Sequence, residues 1–161
     1  MTMEIKRILY TTDLSESSLS SFRSAVELAM KFDATLVILH VLEEMTPGTV
    51  SMLQWVQGDK ITKKHYDDFK AYSEEKIQTS IREICDKDFA EDPTCKQRIG
   101  EIHVVIGYPA EVILQKLDEL HCDAICMGTH SKGAITHTFL GSVAERVLRR
   151  LRKPAFIFPA A

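Results

Sequence analysis

A glycine and hydroxyl-rich loop ahead of a helix is a place where a chain can hold a phosphate, and this sequence has one. Met127-Gly128-Thr129-His130-Ser131 is followed by nine residues and then by Gly141-Ser142-Val143. Glycine lets the backbone approach a phosphate closely, while unpaired N–H groups, hydroxyls and the positive end of a helix dipole supply hydrogen bonds and field. The same residues also serve as an ordinary turn and helix cap. His130 can meet a phosphate or point into solvent, and a lone histidine is weak evidence for a general base. Lys132 and His137 read as exposed loop residues.

Other chemistries lack their signatures. There is no Gly-x-x-x-x-Gly-Lys-Ser/Thr loop, no Gly-x-Gly-x-x-Gly after a strand and no Gly-x-Ser-x-Gly elbow. His40, His65, His103 and His121 are scattered without metal-ligand spacing and read as structural. Cys85, Cys95, Cys122 and Cys126 form no Cys-x-x-Cys pair, so the expectation is reduced core thiols, with Cys95 exposed in its polar segment beside Pro93. Arg146, Arg149, Arg150, Arg152 and Lys153 form a basic run, but toward a helix C-terminus, where cations complement the dipole.

The elements that must position the loop follow from hydrophobic periodicity. Residues 5–12 and the nearly continuous apolar run 35–42 read as strands, the second buried on both faces of a parallel sheet. Between them Leu19, Phe22, Val26, Ala29 and Met30 recur at helical steps, making a βαβ unit. From Glu43 to Lys60 the pattern dissolves, punctuated by Pro47, Gly48 and Gly58 with Trp55 as its large aromatic anchor, and is expected to be a mobile insert. A helix over 61–87, a polar break over 86–97, and strands over 102–106, 124–127 and 155–158 complete the pattern. Helices start near Pro109 and Ser142. Strands alternating with helices predict an α/β domain whose parallel sheet is covered on both faces. Ligands of such sheets bind beyond the carboxyl ends of the strands.

The 161 residues, 45% hydrophobic and 27% charged, suit one domain over 1–161. A net charge of -3 argues against nucleic acid as a partner. No segment reaches the ~20 apolar residues of a membrane span, and the N-terminus lacks a signal-peptide pattern. The expected location is cytoplasmic, with no membrane partner.

Tyr10-Thr11-Thr12-Asp13-Leu14-Ser15 after the first strand, the loop from Met127 to Ser131, and Leu140-Gly141-Ser142-Val143-Ala144-Glu145-Arg146-Val147-Leu148 together resemble the universal stress protein family. The likeness covers essentially the whole chain and is most specific from Leu140 to Leu148. It implies a five-stranded parallel sheet with helices on both faces, a Rossmann-like fold of the adenine nucleotide alpha-hydrolase type. It also implies a stress-response regulator that binds ATP, or ADP or AMP, with magnesium or manganese carried by the phosphates. In the family motif glycine, two residues, glycine, nine residues, then glycine and serine or threonine hold the nucleotide. Gly128, Gly141 and Ser142 match, whereas Ser131 stands where the middle glycine belongs. If that glycine takes a positive φ, serine costs roughly 1 kcal/mol or more; otherwise its hydroxyl adds a hydrogen bond.

Carried over residue by residue, Val41 packs on the base and Asp13 lies near adenine or ribose, with Thr11 and Thr12 bordering the base. Met127, Gly128, His130, Ser131, Gly141, Ser142 and Val143 form the phosphate side, chiefly through backbone donors. Asp13 also suits the N-cap of the first helix, and the two threonines also suit a strand end. No residue is assigned a catalytic role or a metal, and turnover is expected to be at most slow ATP hydrolysis or self-phosphorylation. The resemblance further implies a homodimer through the final strand, Ala155 to Phe158, and an unknown protein partner. The alternative is a stress-response dimer that binds no nucleotide and acts by protein contacts.

Overall fold

The computed structural model describes residues 2–15, 18–57, 59–129 and 140–159. The apolar runs become five strands: β1 (Arg7–Thr11), β2 (Thr35–Glu43), β3 (Ile99–Gly107), β4 (Ala124–Gly128) and β5 (Ala155–Phe158). They form one sheet in the order β3-β2-β1-β4-β5. Every pairing is parallel, with Leu9 beside Val37 on one side and Ile125 on the other.

Strand alternation sends successive side chains to opposite faces. Ile8 and Tyr10 of β1 join Phe22, Val26 and Ala29 of α1 (Ser18–Phe32) and Ile77 and Ile81 of α3 (Asp59–Glu83). Leu9 faces the other way, toward Ala110, Ile113 and Leu117 of α5 (Pro109–Glu119) and Ala144 and Val147 of α6 (Ser142–Arg150). The sheet therefore separates two cores, and in β1 and β2, covered on both sides, Ile8, Leu9, Leu36, Val37, Ile38 and Leu39 are fully buried.

Helix ends are fixed locally. Asp33 and His121 adopt left-handed backbone, with φ of 54° and 51°, just past α1 and α5. The following amides of Ala34 and Cys122 then bond to the carbonyls of Ala29 and Leu117 at 2.8 and 3.1 Å. Asp123 Oδ2 accepts the Lys6 and Arg7 amides at 2.8 and 2.9 Å, tying the entry of β1 to that of β4.

Several expectations are corrected. The segment after β2 contains α2 (Pro47–Gln57). Thr46 caps it, its Oγ1 accepting the Thr49 amide at 3.3 Å. Pro47 thus sits at the first helical position, where it starts a helix rather than breaking one. Trp55 is 89% exposed rather than buried as an anchor. The polar break is also structured: a five-residue π-helical turn, Ile84–Asp88, continues α3, and α4 (Cys95–Arg98) leads into β3. Cys85 and Cys95 are disulfide-bonded, with Cα atoms 5.6 Å apart, and both are buried, contrary to the expectation of reduced thiols and an exposed Cys95. The polar residues between them loop outward through an Asp92 turn, whose carboxylate accepts the Thr94 amide at 2.8 Å, and return Cys95 to the core. Cys122 and Cys126 are free and buried; burial pushes their thiols up to about 11 and about 12.

Three of the five residues of the basic run form ion pairs: Arg149 with Glu145 at 2.6 Å, Arg150 with Glu111, and Lys153 with Asp118 at 3.1 Å. Among the described residues no helix is long and apolar enough to cross a membrane.

Candidate functional site

From β1 the strand order runs outward in both directions, to β2 and β3 on one side and to β4 and β5 on the other. The connections leaving β1 and β4 diverge at such a reversal, opening a crevice beyond the strand ends. A cavity of about 460 Å³ lies there. Nine sequence-selected residues line it: Thr11, Thr12, Asp13, Val41, Met127, Gly128, Gly141, Ser142 and Val143. His130 and Ser131, with Lys132 and His137, lie outside the described residues.

The loop after β1 is built by its own side chains. Asp13 Oδ1 accepts the Ser15 amide at 2.9 Å and the Ser15 hydroxyl at 2.5 Å, an Asx turn. Asp13 thereby closes the turn that leads toward α1. Thr12 Oγ1 accepts the Leu14 amide at 3.1 Å. Leu14 takes a φ of 61°, which for a residue with a Cβ costs roughly 1–2 kcal/mol.

From β2 comes a residue the sequence reading set aside as structural. His40 lines the cavity, and its Nδ1 lies 2.7 Å from the Thr12 carbonyl. A carbonyl only accepts, so Nδ1 carries the proton and the ring fixes the Thr12 peptide. No spacing could single out His40, because its partner is a backbone oxygen on a different strand. Beneath it Tyr10, stacked on Phe22 at 5.1 Å, donates its hydroxyl to the Ser18 carbonyl at 2.9 Å. Burial raises the Tyr10 phenol well above its usual range, so it remains a neutral donor.

On the opposite wall the chain leaves at Thr129 and returns at Gly141. The Gly141 amide donates to the Thr129 carbonyl at 2.6 Å, and the Thr129 amide to Phe158 of β5 at 3.0 Å. Gly141 is the N-cap of α6 in an extended conformation, its carbonyl accepting the Glu145 amide at 2.9 Å. The amides of Ser142, Val143 and Ala144 occupy the first turn, where no intrahelical acceptor exists. Gly128 leaves room: a Cβ there would stand 3.3 Å from Ser21 Oγ.

One wall is thus apolar (Leu39, Val41, Ile113 and Met127), the β1 side offers hydroxyls and the Asp13 carboxylate, and a helix N-terminus lies opposite. That combination accepts a molecule with a flat apolar portion, hydroxyls and an anionic end. Among the described residues no group of three His, Cys, Asp or Glu side chains could hold a metal ion.

Residues 4–159 match the model of the universal stress protein family. The chain belongs to this family. It is 24% identical over 157 residues to a universal stress protein of Methanocaldococcus jannaschii, covering 98% of this chain and 96% of that one. Among solved structures, a universal stress protein of Lactobacillus plantarum shares the fold with a TM-score of 0.74 at 17% identity, covering 98% of this chain and 99% of that one. A universal stress protein in complex with cAMP has a TM-score of 0.57 at 22% identity, covering 98% of this chain and 99% of that one. One from Archaeoglobus fulgidus in complex with dAMP has a TM-score of 0.55 at 15% identity, covering 97% of this chain and 98% of that one. The five-stranded parallel α/β fold of the family is therefore the fold of this chain.

Proposed function

We propose that this chain is a stress-response regulator that binds an adenine nucleotide, ATP with ADP or AMP as lesser ligands, in the cavity beyond β1 and β4. The observation that carries the reading is one cavity of about 460 Å³ that joins Thr11 to Asp13, Val41, Gly128 and the first turn of α6. The base packs on Val41 and Met127, Asp13 and the threonines meet the ribose or the base edge, and the phosphates lie at the α6 amides. The family's structures with cAMP and dAMP support adenine as the shared element. Magnesium or manganese enters on the phosphates, whose oxygens are the hard ligands these ions prefer. The apolar strand β5, at the edge of the sheet, pairs with its twin in a homodimer.

The test is direct. Purified protein is denatured and the supernatant chromatographed for adenine nucleotide, and the nucleotide-free protein is titrated with ATP and magnesium by calorimetry. Released nucleotide or saturable binding is expected. Absence of both rejects the reading in favour of a dimer acting by protein contacts alone. Turnover, if measured, is slow and disappears when Gly141 is made bulky.

A further inference from the structure

A second cavity, of about 290 Å³, lies on the other side of the loop after β1, between α1, α3 and the sheet. Leu14, Leu19, Phe22, Ile38 and Ile77 make its apolar side, hydroxyls of the β1 loop and of α1 line the side shared with the first cavity, and Lys76, Ser80 and Glu83 lie along α3. A cavity of about 150 Å³ suffices for a benzene ring. Here roughly twice that room has an apolar side formed by aliphatic and aromatic side chains.

The rim is not electrically neutral. Glu83 is paired with Lys87 at 3.5 Å. The Ser80 hydroxyl donates to the Lys76 carbonyl at 3.0 Å, one turn back along α3. Lys76 itself has no carboxylate partner among the described residues; its Nζ lies 5.9 Å from the centre of the Tyr72 ring. The mouth therefore offers a cation held only over a tyrosine ring, with no carboxylate partner among the described residues, beside an apolar surface. Leu14 contributes a second sign of design. Its left-handed backbone, with φ of 61°, is strained for leucine, yet it divides the loop so that Asp13 lines the first cavity and Leu14 the second.

We propose that this second cavity is a binding site for a small aromatic carboxylate of one or two rings. The ring body packs against Phe22, Leu19 and Ile77, and the carboxylate meets Lys76. The cation at the rim selects an anionic head group, and the volume limits the body. The site stands whether or not the first cavity takes a nucleotide.

The experiment titrates the isotopically labelled full chain with naphthalene-1-carboxylate and follows backbone amide resonances. Saturable shifts are expected at Leu14, Leu19, Phe22, Ile77 and Ser80. Lys76→Ala is expected to weaken binding at least fivefold and Lys76→Arg to restore it, while the uncharged naphthalene-1-methanol binds both forms alike. Ser80→Trp, which fills the mouth from the exposed side of α3, abolishes binding of both probes. No saturable shift at millimolar probe would overturn the assignment. So would shifts centred on Thr11, Gly128 and Val143, or equal affinity of naphthalene-1-carboxylate for the natural chain and Lys76→Ala.

Discussion

The His40 ring donates from Nδ1 to the Thr12 carbonyl at 2.7 Å, joining the end of β2 to the loop that leaves β1. Replacing His40 by Phe keeps a ring of similar width but leaves that carbonyl without its donor, a loss of about 1–3 kcal/mol. Urea denaturation is expected to show that decrease. Calorimetry is expected to show ATP binding weakened by roughly tenfold, since about 1.4 kcal/mol of lost loop order corresponds to that factor. Unchanged affinity with lowered stability would confine His40 to a structural role.

Gly128 has a different sensitivity. Its backbone is not left-handed, and a single Cβ would meet Ser21 Oγ at 3.3 Å, a contact a small shift relieves. Gly128→Ala is expected to fold and bind with modest loss. In Gly128→Val the two methyl groups reach further into the crevice, and nucleotide binding is expected to disappear while the thermal midpoint falls by only a few degrees. Equal binding by both variants would show that nothing approaches Gly128 closely.

The disulfide between Cys85 and Cys95 closes a loop over a sequence separation of 10. A loop of that size removes unfolded-state freedom worth roughly 2–3 kcal/mol. Scanning calorimetry with and without a dithiol reductant is therefore expected to separate the two forms by about 5–10 °C, at ~2–4 °C per kcal/mol for a chain of this length. Thiol titration of the denatured protein should count the free cysteines Cys122 and Cys126 before reduction and Cys85 and Cys95 in addition after it.

Alkaline pH probes the two free thiols. Burial holds Cys126 up to about 12 and, against the pull of Arg7 and Lys153, Cys122 to about 11, whereas the unfolded thiols ionise near their ordinary value. A raised folded value means that the stabilising contribution is whole below about pH 8.5 and is lost as pH rises through the folded values. Urea midpoints are expected to fall from pH 9 upward, with a slope of up to about 1.4 kcal/mol per pH unit for each thiol. Cys126→Ala should flatten that slope; an unchanged slope would mean that other groups govern alkaline unfolding.

β5 pairs on one side with β4, through Phe156 beside Cys126 and Ile157 beside Met127, and ends the sheet on the other. Sedimentation at micromolar concentration is expected to show a dimer for the natural chain and a monomer for Ile157→Lys, which places a charge on the edge. A monomeric natural chain would remove the edge from the interaction surfaces.

Much of the sheet was legible in the linear pattern. A strand covered on both faces must be apolar at nearly every position, so residues 35–42 announced β2, and 155–158 matched β5 at both ends. The start of α6 was legible too, because a helix N-terminus favours small residues such as Gly141 and Ser142. The segment holding α2 was misread because Pro47 and Gly48 have two meanings, and Thr46 as a cap shows itself only once the hydrogen bond is drawn.

By itself the sequence determined the alternation of strands and helices and the apolar face of each, since each follows from periodicity within a short window. Tertiary structure alone decided the strand order, the meeting of Cys85 with Cys95, the grip of His40 on Thr12, and the placement of Asp13 and Leu14 toward different cavities. These are relations set by how whole elements pack and how the backbone turns. A contact whose energy depends on that packing leaves no local mark in the order of residues.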